Sequence, residues 1–291
     1  MDAIRDHFHH RLRNQLSNVL LFGSVIGITA IGLFAGCVGG VLLVGRTALH
    51  EGSPVLQLLV VVLSTVAGFA AGASASLFAS PLVLRHAFFA RPIGEWNGIR
   101  LFAAADADLP GGAPNVFVSG FSFGFGPFRP AIFVAEGAAR ILPRPALEAV
   151  LAHEYSHLAC RHLGKRVFAG ITTFVAASFF TSIALIGLHW SGYTEFGGFL
   201  SLLSGVIPAA LTWMTVRRLL WDQEFEADAH AMDRLGVSPG RLLEALETLQ
   251  RAIGGEPHPL VAERMSVARA RISSEKTAEI AAESDTGSIA A

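Results

Sequence analysis

Charge is what this chain lacks. Only 15% of its 291 residues are Asp, Glu, Lys or Arg, against 52% hydrophobic residues and a mean hydropathy of +0.50. A soluble domain carries about 25% charge, so an ordinary water-soluble protein is a poor description. Neither sign is in excess, with 22 basic and 23 acidic side chains. The basic surface that a nucleic-acid partner requires is therefore missing. Cysteine is scarce as well. Cys37 and Cys160 cannot build a disulfide framework, and they do not pair into a CxxC zinc motif.

The charge deficit is local. Residues 14–45, 52–84, 167–194 and 196–216 form four uncharged stretches of 32, 33, 28 and 21 residues. All 45 charges fall in the other 177 residues, where they make up 25%, the usual soluble value. A helix needs roughly 20 apolar residues to cross the ~30 Å hydrocarbon layer. Each stretch is long enough, and four transmembrane helices are expected. The first reads as a retained span, since no small-residue cleavage pattern follows it. Its pairs Gly32/Gly36 and Gly36/Gly40, like Gly68/Gly72 in the second stretch, permit close backbone approach in lipid. The partner is either the neighbouring span or a second copy of the chain. Pro208 predicts a kink in the fourth span.

Lys and Arg give the orientation. Three precede the first span, nine lie in 85–166 and nine follow 216, while the loops between spans one and two and between spans three and four hold one and none. Cytoplasmic loops carry the Lys/Arg excess, so both termini and both long polar segments are expected on the cytoplasmic side. Within 85–166, Arg91–Gly94 should stop the second helix. Residues 98–109, 115–118 and 131–135 read as strands, 110–114 as a turn, and 146 to about 163 as a helix ended by Gly164. After the fourth span, helices are expected at 239–253 and from 259 to about 274.

His153-Glu154-Tyr155-Ser156-His157 is an HExxH sequence on the first of these helices. The i,i+4 spacing sets both imidazoles on one face, within reach of one zinc ion, with Glu154 beside them as a base. A catalytic zinc takes a third protein ligand and keeps a position open. The longer pattern with glycine and histidine at 160 and 163 is excluded, because those residues are Cys160 and Leu163. Glu224 and Asp228 share a helical face just after the fourth span. Glu224 is a candidate ligand, and Asp228 a candidate acceptor for the second N–H of a zinc-bound imidazole. Two spans separate His157 from Glu224, an even number, so both sit on one side of the membrane and within roughly 15 Å of it at ~1.5 Å per residue.

These residues resemble the HtpX-like integral-membrane zinc metalloproteases, gluzincins related to the CAAX prenyl endopeptidases. The likeness rests on His153–His157, on Glu224-Phe225-Glu226-Ala227-Asp228, and on the two spans between them. It also includes Pro114-Asn115-Val116-Phe117 upstream, and His258-Pro259 followed by Arg264 downstream. It implies a mainly α polytopic protein with an α+β zincin-like catalytic domain in the cytoplasm. In this scheme 1–90 is an arm with two spans, 91–166 and 217–275 are the two catalytic parts, 167–216 holds two further spans, and 276–291 is an unstructured tail. It further implies zinc on His153, His157 and Glu224, with Glu154 as general base. Asn115, Val116 and Phe117 would form an edge strand pairing with an extended substrate, and His258 would assist at the oxyanion. Substrates would be proteins or peptides, membrane proteins among them, cut at a bacterial inner membrane in quality control. A CAAX-type prenyl-protein protease and a non-catalytic membrane scaffold are the competing readings. Tyr155, His162 and His230 are expected to be structural.

Overall fold

The computed structural model describes residues 27–29, 31–32, 34–46, 54–106, 115–191 and 197–287. Among the described residues, three helices are long and apolar enough to cross a membrane: α1 (Gly27–Arg46), Val60–Ala87 within α2 (Pro54–Ala87), and His162–Ala184 within α5 (His162–Trp190). The fourth apolar run enters α6 (Gly197–Leu235), which continues unbroken into the charged segment. It is not one of those three, and its side chains at 197–205 lie outside the described residues. The turn expected at 110–114 lies outside the described residues as well.

The glycines of the first two apolar runs meet each other. A Cβ on Gly32 would stand 2.5 Å from the Gly68 carbonyl oxygen and 2.7 Å from Gly72 Cα, and one on Gly68 would stand 2.7 Å from Gly36 Cα. Within this chain, then, the small-residue stripe seats α1 on α2, with backbones closer than any side chain allows.

Between the helices lies a four-stranded sheet, β1 (Arg91–Trp96), β2 (Ile99–Ala104), β3 (Val116–Ser119) and β4 (Ala131–Ala135), in the order β1-β2-β4-β3. β1 and β2 form a hairpin through Asn97-Gly98, whose φ angles of 47° and 75° fit the two-residue turn that Asn-Gly favours. Here the expectation for 91–94 needs correction. Arg91–Gly94 is strand rather than a bare helix stop. Pro92 is tolerated because β1 is an edge strand and its register breaks between Pro92 and Gly94. β4 is parallel to β2, antiparallel to β3, and buried along its whole length. Ile132 and Phe133 are fully inaccessible and pack with Phe88, Phe102 and Leu151 in the main core.

After β4 come α3 (Glu136–Ile141) and α4 (Arg144–Ala159), the helix that carries the HExxH sequence. α4 packs against β3, α6 and α7 (Pro239–Ile253). It ends earlier than expected. Gly164 lies inside α5, and the break falls at Cys160-Arg161, where Arg161 takes a left-handed φ of 55°. That conformation costs a non-glycine residue roughly 1 kcal/mol. It turns the chain at once, so that α5 starts beside the end of α4. Ser238 caps α7, whose bounds match the expectation. The last helix, α8 (Pro259–Gly287), runs well past Ser274, so the segment expected to be an unstructured tail is helical as far as Gly287.

Candidate active site

α4 presents His153, Glu154 and His157 from adjacent turns, and α6 brings Glu224 and Asp228 to meet them. His153 Nε2 lies 3.1 Å from His157 Nε2. The Glu224 carboxylate closes the triangle, 3.3 Å from His153 Nε2 and 3.5 Å from His157 Nε2. His153 and His157 are buried, and Glu154 is only 9% exposed. Two imidazole nitrogens and a carboxylate oxygen turned toward one point are the donor set that zinc prefers. His153, Glu154 and His157 also form a cluster compact enough for an ion. Behind His153, its Nδ1 contacts Asp228 Oδ1 at 2.7 Å, which fixes the ring and leaves Nε2 for the metal.

Arg264 of α8 ties the acids together. Its Nε and one terminal nitrogen reach the two Asp228 oxygens at 2.7 and 2.8 Å, and the other terminal nitrogen reaches Glu224 at 2.9 Å. The sequence placed Arg264 after His258-Pro259 but gave it no role. His258 is a correction of the opposite kind. It is exposed, its Nδ1 accepts the Leu260 N–H at 3.3 Å, and its ring packs edge-on against Trp221. It starts α8 and does not line the catalytic cleft. Arg166 does line it, with a buried Nε that has no hydrogen-bond partner.

His162 was expected to be merely structural, yet it touches a candidate ligand. The left-handed turn at Arg161 brings its Nδ1 to 2.7 Å from His157 Nδ1. Its Nε2 lies 3.2 Å from Glu226, off the hydrogen-bond direction, and Glu226 is held by Lys165 at 2.8 Å. Only its place five residues after His157 signalled this. His230 accepts or donates to Ser156 Oγ at 2.9 Å, and Tyr155 packs edge-on against Trp96. Both are packing residues, as expected.

The cleft holds about 350 Å³, and β3 forms one wall of it. β3 is the edge strand of the sheet opposite β1. Asn115 gives its carbonyl to the Ala135 N–H of β4. By antiparallel alternation the backbone of Phe117 also faces β4, while Val116 and Val118 face the open edge. Both edge N–H groups are already held, Val116 by Asn115 Oδ1 and Val118 by Glu154 Oε2, each at 2.9 Å. What remains for an incoming strand is the carbonyls of Val116 and Val118. Of the expected Asn115, Val116 and Phe117, only Val116 turns its backbone to the open edge, together with Val118, and Phe117 stacks its ring on Phe133 in the core.

The electrostatics follow from this packing. Burial drives the Glu154 pKa up to about 7. Burial and the neighbouring His153 charge take His157 down to about 3, leaving it neutral. Burial and Arg264 oppose protonation of His153, but the hydrogen bonds to Asp228 and Glu224 outweigh them and lift it to about 9. Burial would raise Glu224 and Asp228, yet His153 and Arg264 hold both at about 2. Of the two imidazoles, His153 is therefore the one that carries a charge near neutral pH.

Comparison with known proteins agrees with this geometry. The chain is 29% identical to a protein named protease HtpX homolog from Trichormus variabilis over 195 residues, 61% of this chain and 66% of that relative. Two further HtpX homologs, from a Nostoc species and from Acaryochloris marina, are each 32% identical, over 52% and 51% of this chain and 54% and 52% of theirs. The chain thus spans about half to two thirds of the length of these relatives. No solved structure matches it. The profile of peptidase family M48 covers residues 104–272, from the end of β2 through about the first half of α8 and including every residue of the cleft centre. This chain belongs to peptidase family M48.

Proposed function

We propose that this chain is a membrane-anchored zinc metalloendopeptidase that cuts misfolded or membrane proteins at the cytoplasmic face of a bacterial inner membrane. The observation that carries the reading is the meeting of His153 Nε2, His157 Nε2 and the Glu224 carboxylate in a cleft walled by an open strand edge. The relatives' name, protease HtpX homolog, supports the same chemistry. The apolar helices α1, α2 and α5, together with the uncharged start of α6, support a membrane anchor of four spans.

Zinc, when bound, would polarise the scissile carbonyl and acidify water at the site. The rest falls to the chain's own groups. An extended substrate adds to the edge of β3 and donates its N–H groups to the Val116 and Val118 carbonyls. Glu154, with a pKa raised to about 7, is suited to take a proton near neutrality and return it to the leaving amine. The Val118 N–H on Glu154 Oε2 orients that carboxylate relative to the strand. Asp228 and Arg264 hold His153 and Glu224 in place. Arg166, whose Nε has no hydrogen-bond partner, brings a positive charge into the cleft for the oxygen on which negative charge develops.

The test is a pair of variants assayed for metal content and for casein hydrolysis with and without chelator. Glu154→Gln should keep stoichiometric zinc and lose hydrolysis, and Glu224→Ala should lose the zinc. Zinc binding without hydrolysis in the parent protein would favour the scaffold reading. Normal cleavage by Glu154→Gln would remove that residue as the base.

A further inference from the structure

Residues 119–128, Ser-Gly-Phe-Ser-Phe-Gly-Phe-Gly-Pro-Phe, carry no charge. They form a loop between β3 and β4 that closes on a short 3-10 turn at Gly126–Phe128. Four of its rings gather on one side chain of α2. Phe121, Phe123, Phe125 and Phe128 have ring centroids 6.4, 6.3, 5.7 and 5.2 Å from Phe78. The attachment continues at Ser80, whose hydroxyl bonds Ser119 at 2.7 Å, and at Pro81. A Cβ on Gly120 would come within 2.6 Å of Pro81 Cγ, so only glycine fits there. Phe121 is buried, yet Phe123 and Phe125 stay 70% and 67% exposed. A soluble surface seldom leaves two adjacent phenylalanines so open.

Their position on α2 supplies the reason. Phe78 lies within the stretch Val60–Ala87 that is apolar enough to cross a membrane, and seven residues before Arg85, the first charge after the uncharged residues 52–84. Seven helical residues are about 10 Å, so the loop hangs on the membrane side of Arg85. Arg85, Arg100 and, one residue past the loop, Arg129 adjoin it. Arg85 and Arg100 flank the Phe102 ring, and Arg100 donates to the Gly126 and Arg129 carbonyls. None of the three is ion-paired with an acid among the described residues. An aromatic tip beside unpaired cations matches the acyl boundary and the phosphate layer of an anionic bilayer.

We propose that the 119–128 loop is a bilayer-inserted lip, continuous with the lipid-facing surface of α2. It seats the catalytic cleft against the membrane surface, so that the favoured substrate is a polypeptide segment lying at that surface. The second half rests on the protease reading above; the first does not. The loop also walls a cavity of about 520 Å³ whose lining includes His157, so the lip stands next to the reacting centre.

The full chain, with Cys37→Ala and Cys160→Ala, is reconstituted in mixed phosphatidylcholine–phosphatidylglycerol nanodiscs. It carries a nitroxide at Phe125→Cys or, as an aqueous control, at Ile280→Cys, a site 67% exposed on α8. The label at 125 should collide more with oxygen than with a water-soluble nickel chelate, and the label at 280 the reverse. Equal profiles at the two sites would overturn the lip, whatever the activity. In the second arm, Phe125→Asp should lower cleavage of a lipid-tethered peptide at least tenfold and of the same peptide free in solution less than twofold. Equal changes in both rates, or in neither, would overturn the role in substrate choice. If the parent cleaves neither peptide, it is the protease reading that has failed, and the labels still decide the lip.

Discussion

Metal affinity should depend on pH through one proton, and the structure says which. In the metal-free site His157 is already neutral and Glu224 already ionised, with pKa values near 3 and 2. His153 alone among the proposed ligands must give up a proton, because Asp228 and Glu224 raise its pKa to about 9. Below that pH a metal ion competes with that proton, and above it the competition ends. Affinity should therefore climb about tenfold per pH unit, about 1.4 kcal/mol, well below pH 9, which makes about 50-fold from pH 7 to 9, and then level off. Glu154 also titrates in this range, so the Glu154→Gln variant is the right background. Cadmium, whose bound water ionises less readily than zinc's, isolates the ligand proton. The assay is competition with a chromophoric chelator of known pH-dependent affinity. A flat profile would mean that His153 is neutral in the metal-free site, and the hydrogen-bonded cluster built around its charge would be wrong. A slope near two would mean that a second ligand is protonated.

The stability of the chelated protein should run the other way. The stabilisation from protonated His153 is fully present below pH 6.5 and lost as pH rises through about 9, and buried Glu154 becomes costly to ionise between 4.5 and about 7. Thermal unfolding without metal should shift to lower temperature across pH 6.5–9, and a rise there would contradict the His153 assignment. His162→Ala should weaken metal binding about 10- to 100-fold by freeing the His157 ring. His162→Asn, which can still accept the His157 N–H, should recover part of it, and equal affinity in all three proteins would reduce His162 to packing. Gly68→Leu should cost about 1–3 kcal/mol in detergent unfolding by forcing α1 off α2 while leaving metal content intact. An unchanged unfolding curve would show that the glycine seam is not a close contact.

Much of this site could be read from spacing. Side chains four apart on a helix share a face whatever the surrounding fold, so His153/His157 and Glu224/Asp228 paired as expected. The even number of apolar runs between them leads to the expectation that both pairs share one side. The limits of α7 were equally plain, since Ser238-Pro239 and Gly254 are local helix signals. Local signals also misled. Gly164 looked like a helix end, but the chain turns at Arg161, where contact between His162 and His157 outweighs the strain of a left-handed arginine. Arg91-Pro92 looked like a plain breaker, yet pairing with β2 recruits it as an edge strand.

The sequence by itself determined composition, period and spacing: the uncharged runs, the helical faces and the zinc-type donors, because these depend on neighbours within a few residues. Only the tertiary structure decided which distant residues complete the site. It put Arg264 rather than His258 among the acids, 36 residues on from Asp228, and turned Val116 and Val118, rather than Asn115 and Phe117, to the open edge of β3. It also set the phenylalanine loop on Phe78. Those choices depend on how whole helices and strands pack, and nothing in the local spacing encodes them.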